Sequence, residues 1–334
     1  MKRPPTAADV AALAGVSRSA VSRTFTDGAS VSGETRAKVM EAADKLGYRV
    51  NHLARSLNSA QPSKLVALVV SDMDHSFRAV TVDLLARGLV ADGYRPFLLP
   101  WSEGDSTKTV IDMMLNYNVS GAIVTSDTPP AEIADECARY GVPLVLVNKA
   151  PVGERTARVM QDTDLAGRLA AQELHDIGCK RILYAGQRRN SFTIGARRDA
   201  FLDEVETLGM ELVGMAYGTA QNHAGGIEAA EDFLSQGLEV DGAHCANDFF
   251  ALGFIDGLRR AGHSVPDLMA LVGCDDINEA AWPAYDLTTL RQDPQALTRA
   301  CLDALAERIA APETTGRLIR IGVTPVRRGS TRRT

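Results

Sequence analysis

The pattern of apolar and polar positions changes character near residue 64. Before that point, apolar residues recur at helical spacing in three short bursts. After it, short continuous apolar runs alternate with longer helical stripes. In the first burst Val10, Leu13 and Ala14 fall on one helix face. Thr6 caps this helix, and Asp9, three residues on, returns the bond as a capping box. Gly15 supplies the break. Ser17 caps a second helix whose inward positions are Ala20, Val21 and Thr24. That spacing leaves Arg18, Ser19, Ser22 and Arg23 pointing outward. A short exposed helix carrying Arg and Ser, presented across a glycine turn, is the helix-turn-helix arrangement that reads a DNA major groove. A third helix runs from a Ser32 cap to about Leu46, with Val39, Ala42, Ala43 and Leu46 as its stripe and Gly47 as its stop. Arg36 and Lys38 in its first turns are placed to touch phosphate.

The segment from Tyr48 to Asn58 reads differently. Asn51 begins a helix barely two turns long, too short to hold in water by itself. It is expected to fold on DNA and not before. Leu57 then makes sense as an apolar wedge for a minor groove, where a plain linker would leave it as a stray exposed leucine. Pro62 and Ser63 close the segment.

From Lys64 the chain becomes a βα repeat. Leu65–Val70 is continuously apolar, as a strand buried on both faces must be. A helix carrying Phe77, Val80, Leu84, Gly88 and Leu89 follows. Then come strand 94–99, helix 107–117, strand 121–125, helix 131–140 and strand 143–147. A second series starts near Arg158: helix 165–177, strand 181–185, helix 194–208, strand 212–217, helix 225–234, strand 242–245, helix 249–261 and strand 270–272. Leu287–Gln292 reads as a strand crossing between lobes, and helix 294–309 and a strand around 318–323 close the chain. The predicted class is an all-α helix-turn-helix head plus an α/β body of two lobes with doubly wound parallel sheets, resembling the periplasmic sugar-binding fold. The predicted divisions are head 1–48, hinge helix and linker 49–63, and body 64–334. Within the body, lobe 1 covers about 64–157 and 292–320, and lobe 2 about 158–291 and 321–334.

Charge sharpens this division. The chain of 334 residues has a net charge of −6, which by itself argues against a nucleic-acid partner. Residues 1–60 nevertheless hold nine Lys/Arg and five Asp/Glu, a balance of +4 that leaves −10 on the remainder. A basic head on an acidic body is the footprint of a DNA-reading module joined to something else. The five cysteines are scattered without metal-ligand spacing and fit a reducing cytoplasm. No secretory leader and no bilayer-length apolar run is visible, so a cytoplasmic protein with no membrane contact is expected. Neither a cofactor nor a metal is expected.

The run Asp9-Val10-Ala11, Leu13-Ala14-Gly15-Val16-Ser17 and Val21-Ser22-Arg23, followed by Val31-Ser32, Glu34-Thr35-Arg36, Leu46-Gly47-Tyr48-Arg49 and Leu53-Ala54-Arg55-Ser56-Leu57, closely resembles the lactose-repressor (LacI/GalR) family of bacterial transcription regulators. The resemblance implies a homodimer on a pseudo-palindromic double-stranded DNA operator, a hinge helix in the minor groove, and a small-molecule effector between the lobes. Carried onto this chain, the DNA contacts fall on Thr6, Ser17, Arg18, Ser19, Ser22, Arg23, Arg36, Asn51, Ala54 and Leu57. Arg18 and Ser19 open the recognition helix and suit base readout, since arginine can give two bonds to guanine O6 and N7. Ala20 stands where the family often has Thr, and Phe25-Thr26 where Leu-Asn is usual, so Phe25 must find a place in the head's core.

Effector candidates sit just past strand ends. They are Asp74, Phe77, Asn148, Arg197, Asn247, Asp275 and Trp282. Arg, Asn and Asp together offer planar donors and acceptors for the neighbouring hydroxyls of a sugar. A purine or a phosphorylated sugar is the alternative, with Lys149, Arg188 and Arg189 close in sequence. Phe77, Phe192, Phe249 and Trp282 are candidates for an apolar wall. Asn-Asp and Asp-Asp ahead of helices are also ordinary caps, so Asp248 and Asp276 are expected to be structural. His75-Ser76 replaces the family's usual Asn-Pro, which puts direct contact by Asp74 in question. An enzyme is not expected, because no Walker loop, Gly-x-Ser-x-Gly elbow or metal-spaced cluster is present. A transport-type binding protein fits neither the basic head nor the missing leader. The favoured reading is a ligand-responsive DNA-binding regulator, most simply a repressor.

Overall fold

The computed structural model describes residues 3–26, 29–49, 63–71, 73–102, 104–125, 130–188 and 191–332. It divides into two compact units, Met1–Ser63 and Lys64–Thr334.

The first unit is three helices, α1 (Ala7–Ala14), α2 (Arg18–Thr24) and α3 (Gly33–Leu46). Thr6 and Asp9 form the expected capping box. The Thr6 amide donates to Asp9 Oδ2 at 2.7 Å, and the Asp9 amide donates to Thr6 Oγ1 at 3.4 Å. Gly15 takes the left-handed conformation at φ 64°, which ends α1. Val10, Ala11, Val21, Val39, Ala42 and Ala43 make the small core. Leu13 does not join it: the stripe that packs is Ala7, Val10, Ala11 and Ala14, and Leu13 lies one step off that face and is 53% exposed. Leu46, at the helix end, is likewise outside the core. Phe25 is accommodated against Tyr48, ring centroids 5.8 Å apart. Asn51, Ala54, Leu57 and the hinge helix lie outside the described residues.

In the second unit, a six-stranded parallel sheet has the order β11-β5-β4-β3-β1-β2. Its strands are β1 (Leu65–Val70), β2 (Arg95–Pro100), β3 (Gly121–Val124), β4 (Leu144–Val147), β5 (Ala157–Gln161) and β11 (Leu318–Ile321). Helices α4 (Ser76–Ala91) and α11 (Pro294–Ala310) contribute to one core of this lobe. Helices α5 (Thr107–Asn116) and α6 (Pro130–Tyr140) contribute to the other. The second lobe has the order β7-β6-β8-β9, from β6 (Arg181–Gln187), β7 (Glu211–Gly218), β8 (Gly242–Cys245) and β9 (Ala270–Val272). Helices α7 (Thr163–Asp176), α8 (Phe192–Thr207), α9 (His223–Gln236) and α10 (Asp248–Arg260) pack around it.

The lobe boundary differs from the expectation. Residues 158–161 belong to the first lobe, because β5 pairs in parallel with β4, Leu146 opposite Arg158. The chain therefore crosses just after Gln161. It crosses again after β10 (Thr289–Gln292) and once more at Gly322. There the expected single strand is split: β11 pairs with β5, while β12 (Val323–Val326) pairs antiparallel with β10. Two strands with different partners cannot be told from one by an apolar run alone.

Candidate functional site

The chain presents two candidate surfaces, one on each unit. On the head, Arg18, Ser19, Ser22 and Arg23 are all exposed on one short helix. Neither arginine pairs with an acid among the described residues. Other residues assigned to DNA also build the head. Ser17 Oγ accepts the Ala20 amide at 3.2 Å and lies 2.8 Å from Ser19 Oγ. Arg36 Nη1 donates to the Thr24 carbonyl at 2.9 Å, tying α3 to the last turn of α2. Arg36 thus fixes the angle at which the exposed helix is offered.

On the body, the ends of several elements meet between the lobes. Arg197 on α8 and Asp275 after β9 are both 6% exposed, with Nη1 to Oδ1 at 3.8 Å. Gln292, at the end of β10, donates to Asp275 Oδ1. Asp275 sits at φ 136°, a backbone conformation that L residues seldom adopt. Burial raises its carboxyl pKa, and the charges of His75 and Arg197 work against that rise. Burial opposes the charge of Arg197, but Cys274, Asp275 and Tyr184 outweigh it and raise its pKa. Arg197 Nε and Nη1 and both polar atoms of the Gln161 amide are buried with no hydrogen-bond partner. Arg197, Gln161 and Gln292 line one recess, together with Asn148, Thr163, Thr193 and Cys274; it encloses about 280 Å³ including its mouth. Asn148 is held there at φ 56°, its Oδ1 accepting the Gln161 backbone N–H at 2.9 Å, which leaves the Gln161 side-chain amide free of partners.

Asn247 does two jobs. Its Oδ1 caps α10 by accepting the Phe250 amide at 2.8 Å, and its Nδ2 lies 3.2 Å from His75 Nε2 on the other lobe. His75 Nε2 is also 3.6 Å from Asp275 Oδ2. Ser76 Oγ donates to Glu279 Oε1 at 3.2 Å, and Phe77 packs against a core of each lobe. His75, Ser76 and Phe77 therefore form the first lobe's side of the contact. Asp74 is exposed in the preceding turn, so the departure at His75 moves the contact one residue along. Trp282 is 54% exposed beyond the short 3-10 turn 278–281 and is not among the residues that line this recess. Phe192 is also exposed, whereas Phe249 meets the His75 ring edge-on at 6.0 Å.

Asp248 and Asp276 are structural. Asp248 accepts from Thr289 Oγ1 at 2.6 Å and from the Ile277 amide at 3.1 Å. Burial, reinforced by the neighbouring Asp275 carboxylate, pushes its pKa up to about 7. Asp276 binds Arg291 and Arg328, each at 2.6 Å. Gln161, Gln292 and His75 were absent from the sequence-based set. Gln161 obeys the strand-end rule once β5 has its proper end, and Gln292 closes the strand already expected over Leu287–Gln292.

Residues 6–51 match the family described as bacterial regulatory proteins, lacI family, and residues 171–331 match a periplasmic binding protein-like domain. The chain is 31% identical over 325 residues to an uncharacterised HTH-type transcriptional regulator of Streptomyces limosus, covering 92% of this chain and 88% of that one. It is 27% identical over 305 residues to the HTH-type transcriptional repressor PurR of Mannheimia succiniciproducens, covering 90% and 91%. Among solved structures, the lac repressor dimer bound to operator and the anti-inducer ONPF superposes with a TM-score of 0.87 at 23% identity over 98% of this chain and 99% of that one. The CelR–cellobiose complex superposes at 0.74 with 26% identity over 98% and 99%. The basic head with its exposed Arg/Ser helix and the two-lobed body with its inter-lobe cleft accord with these relatives: the chain belongs to the LacI family and is a ligand-responsive DNA-binding transcription regulator.

Proposed function

We propose that the protein is a repressor that binds a pseudo-palindromic operator as a homodimer, and that a neutral sugar between its lobes sets its affinity for that operator. The observation that carries the effector class is the recess itself. It gathers a buried guanidinium with two unpartnered N–H groups, the unpartnered Gln161 amide, and the side chains of Asn148 and Gln292. A buried polar group without a partner costs about 1–3 kcal/mol, so a ligand rich in hydroxyls is favoured twice, by its own bonds and by theirs. Among the described residues no aromatic ring lines the recess, which a purine would want for stacking. A phosphorylated sugar is also less well served. Arg188 lies over the Tyr217 ring at 4.6 Å, and Lys149 is 8% exposed.

Arg18 and Ser19 are assigned to base edges, Ser22 and Arg23 to bases and phosphate, and Thr6, Ser17 and Arg36 to phosphate through the head's own framework. Dimerisation is assigned to the edge strand β2 and α5. Leu98, Met113 and Tyr117 expose apolar surface there, and Phe97 meets Tyr117 at 4.9 Å. A cytoplasmic location follows from the DNA partner. Control requires that the sugar bind one lobe arrangement better than the other. The His75–Asn247 and Ser76–Glu279 contacts and the doubly packed Phe77 are the junction it biases. A thermal-shift screen of neutral sugars against nucleobases and sugar phosphates tests this reading. Stabilisation by one neutral sugar supports it, and stabilisation by a nucleobase alone replaces it.

A further inference from the structure

A second recess lies in the first lobe among the C-terminal part of α6, the start of β4, the turn before β5 and the loop after α11, enclosing about 380 Å³ including its mouth. Its inner wall is apolar, with Ala134, Cys137 and Leu144 buried and Ala138 at the exposed rim. Arg155, Arg308 and Glu313 supply its charge. Arg308 is 5% exposed. Its Nη1 donates to the Thr314 carbonyl and, at 3.1 Å, to Thr314 Oγ1, and its Nη2 donates to the Pro312 carbonyl. All of these acceptors are neutral. Nε is buried with no partner, and among the described residues no carboxylate pairs with this guanidinium. A buried charge that meets neutral groups alone is costly, and an anion relieves the cost. The nearest acid is Glu313, which pairs with Arg155 at 3.0 Å and is 77% exposed. Two guanidinium groups and one solvated carboxylate leave the recess with a net positive charge.

We propose that this recess is a second small-molecule site, separate from the inter-lobe cleft, that takes an oxyanion carrying a short apolar body. The anion's oxygens accept from Arg308 Nε and Arg155, and its body lies on Ala134, Cys137 and Ala138. Glu313 competes for the same cation, so it acts as a lid that the ligand displaces. The oxyanion is a carboxylate or a phosphate, and the two are separated by the probes below.

The test uses the full chain with isobutyrate and inorganic phosphate as probes, titrated by calorimetry at constant ionic strength against chloride. Saturable 1:1 binding is expected. Losing one charge-assisted contact in Arg155→Gln weakens it about tenfold, and Glu313→Gln tightens it by removing the competitor. Ala138→Leu, which narrows the recess at its exposed rim, weakens isobutyrate binding. Should that variant fail to fold, the Arg155→Gln and Glu313→Gln pair decides, since both side chains are exposed. Tighter binding of isobutyrate than phosphate identifies a carboxylate, and the reverse a phosphate. No saturable binding of either probe, or affinities equal in wild type, Arg155→Gln and Glu313→Gln (an adventitious ion only), overturns the proposal.

Discussion

Arg197 Nη1 stands 3.8 Å from Asp275 Oδ1, and each side chain is almost wholly shut off from solvent. The pair spans α8 and the loop after β9, so it fixes one side of the cleft through two elements at once. Removing one member of such a pair strands the other charge. Arg197→Met is expected to lower stability by about 3–5 kcal/mol and to abolish the sugar response while operator binding persists. Asp275→Asn is isosteric, so it adds no backbone strain beyond what Asp275 already carries at φ 136°, and it retains an acceptor for Gln292; it is expected to cost less stability yet lose the response as well. Urea denaturation together with effector titration separates the two losses.

The head offers a contrast between reading and holding. Arg18→Ala is expected to cost about 1–3 kcal/mol at the matching operator and to relax preference at one base pair. Arg36→Ala removes the bond to the Thr24 carbonyl. It should lower the melting temperature of the head and weaken all sequences alike. Competition binding to a set of single-base operator variants, with melting of the same proteins, distinguishes these effects.

Asp248 gives a pH signature. Its folded pKa of about 7 lies above its ordinary value of 3.8. Between these values the folded state keeps a proton that the unfolded chain gives up. Its contribution therefore grows as pH falls through 7 and is complete below about 4. Wild type minus Asp248→Asn, measured by urea denaturation from pH 8 to pH 5, should show a difference that shifts toward wild type as pH falls. A pH-independent difference would remove Asp248 from the account.

Phe77 packs on a core of each lobe. Phe77→Ala is expected to cost about 2 kcal/mol of buried apolar contact and to change the sugar concentration needed for half-response. His75→Ala removes the ring from Asn247 and Asp275 and should shift the same midpoint with a smaller stability loss. Chemical denaturation and effector titration of both variants check this.

Much of the head was legible because caps are local chemistry. Thr6, Ser17, Ser32 and Gly47 each act within four residues of the bond they complete. Asn247 was legible for the same reason, standing two residues past β8 and capping the next helix. The misses are all tertiary. Leu13 has the right residue type but lies off the face that the other two helices cover. Trp282 was judged by its ring, and only packing decides whether a ring meets a ligand. Gln161 became visible once β5 was placed, and β5 opens with Ala-Arg, which carries little strand signal; Gln292 closed a strand that the sequence did show, but one read as a crossing between lobes and not as a wall of the cleft. His75 was noticed as a departure, yet its contact depends on the second lobe, some 170 residues away in the chain (|i−j| = 172).

The most direct test of the account follows a fluorescent operator duplex by anisotropy with wild type and Arg197→Met side by side, adding the sugar found by thermal shift. The two proteins should bind the operator equally without sugar, and sugar should change the affinity of wild type alone. A variant that responds at the wild-type concentration would contradict the assignment of the cleft as the control site.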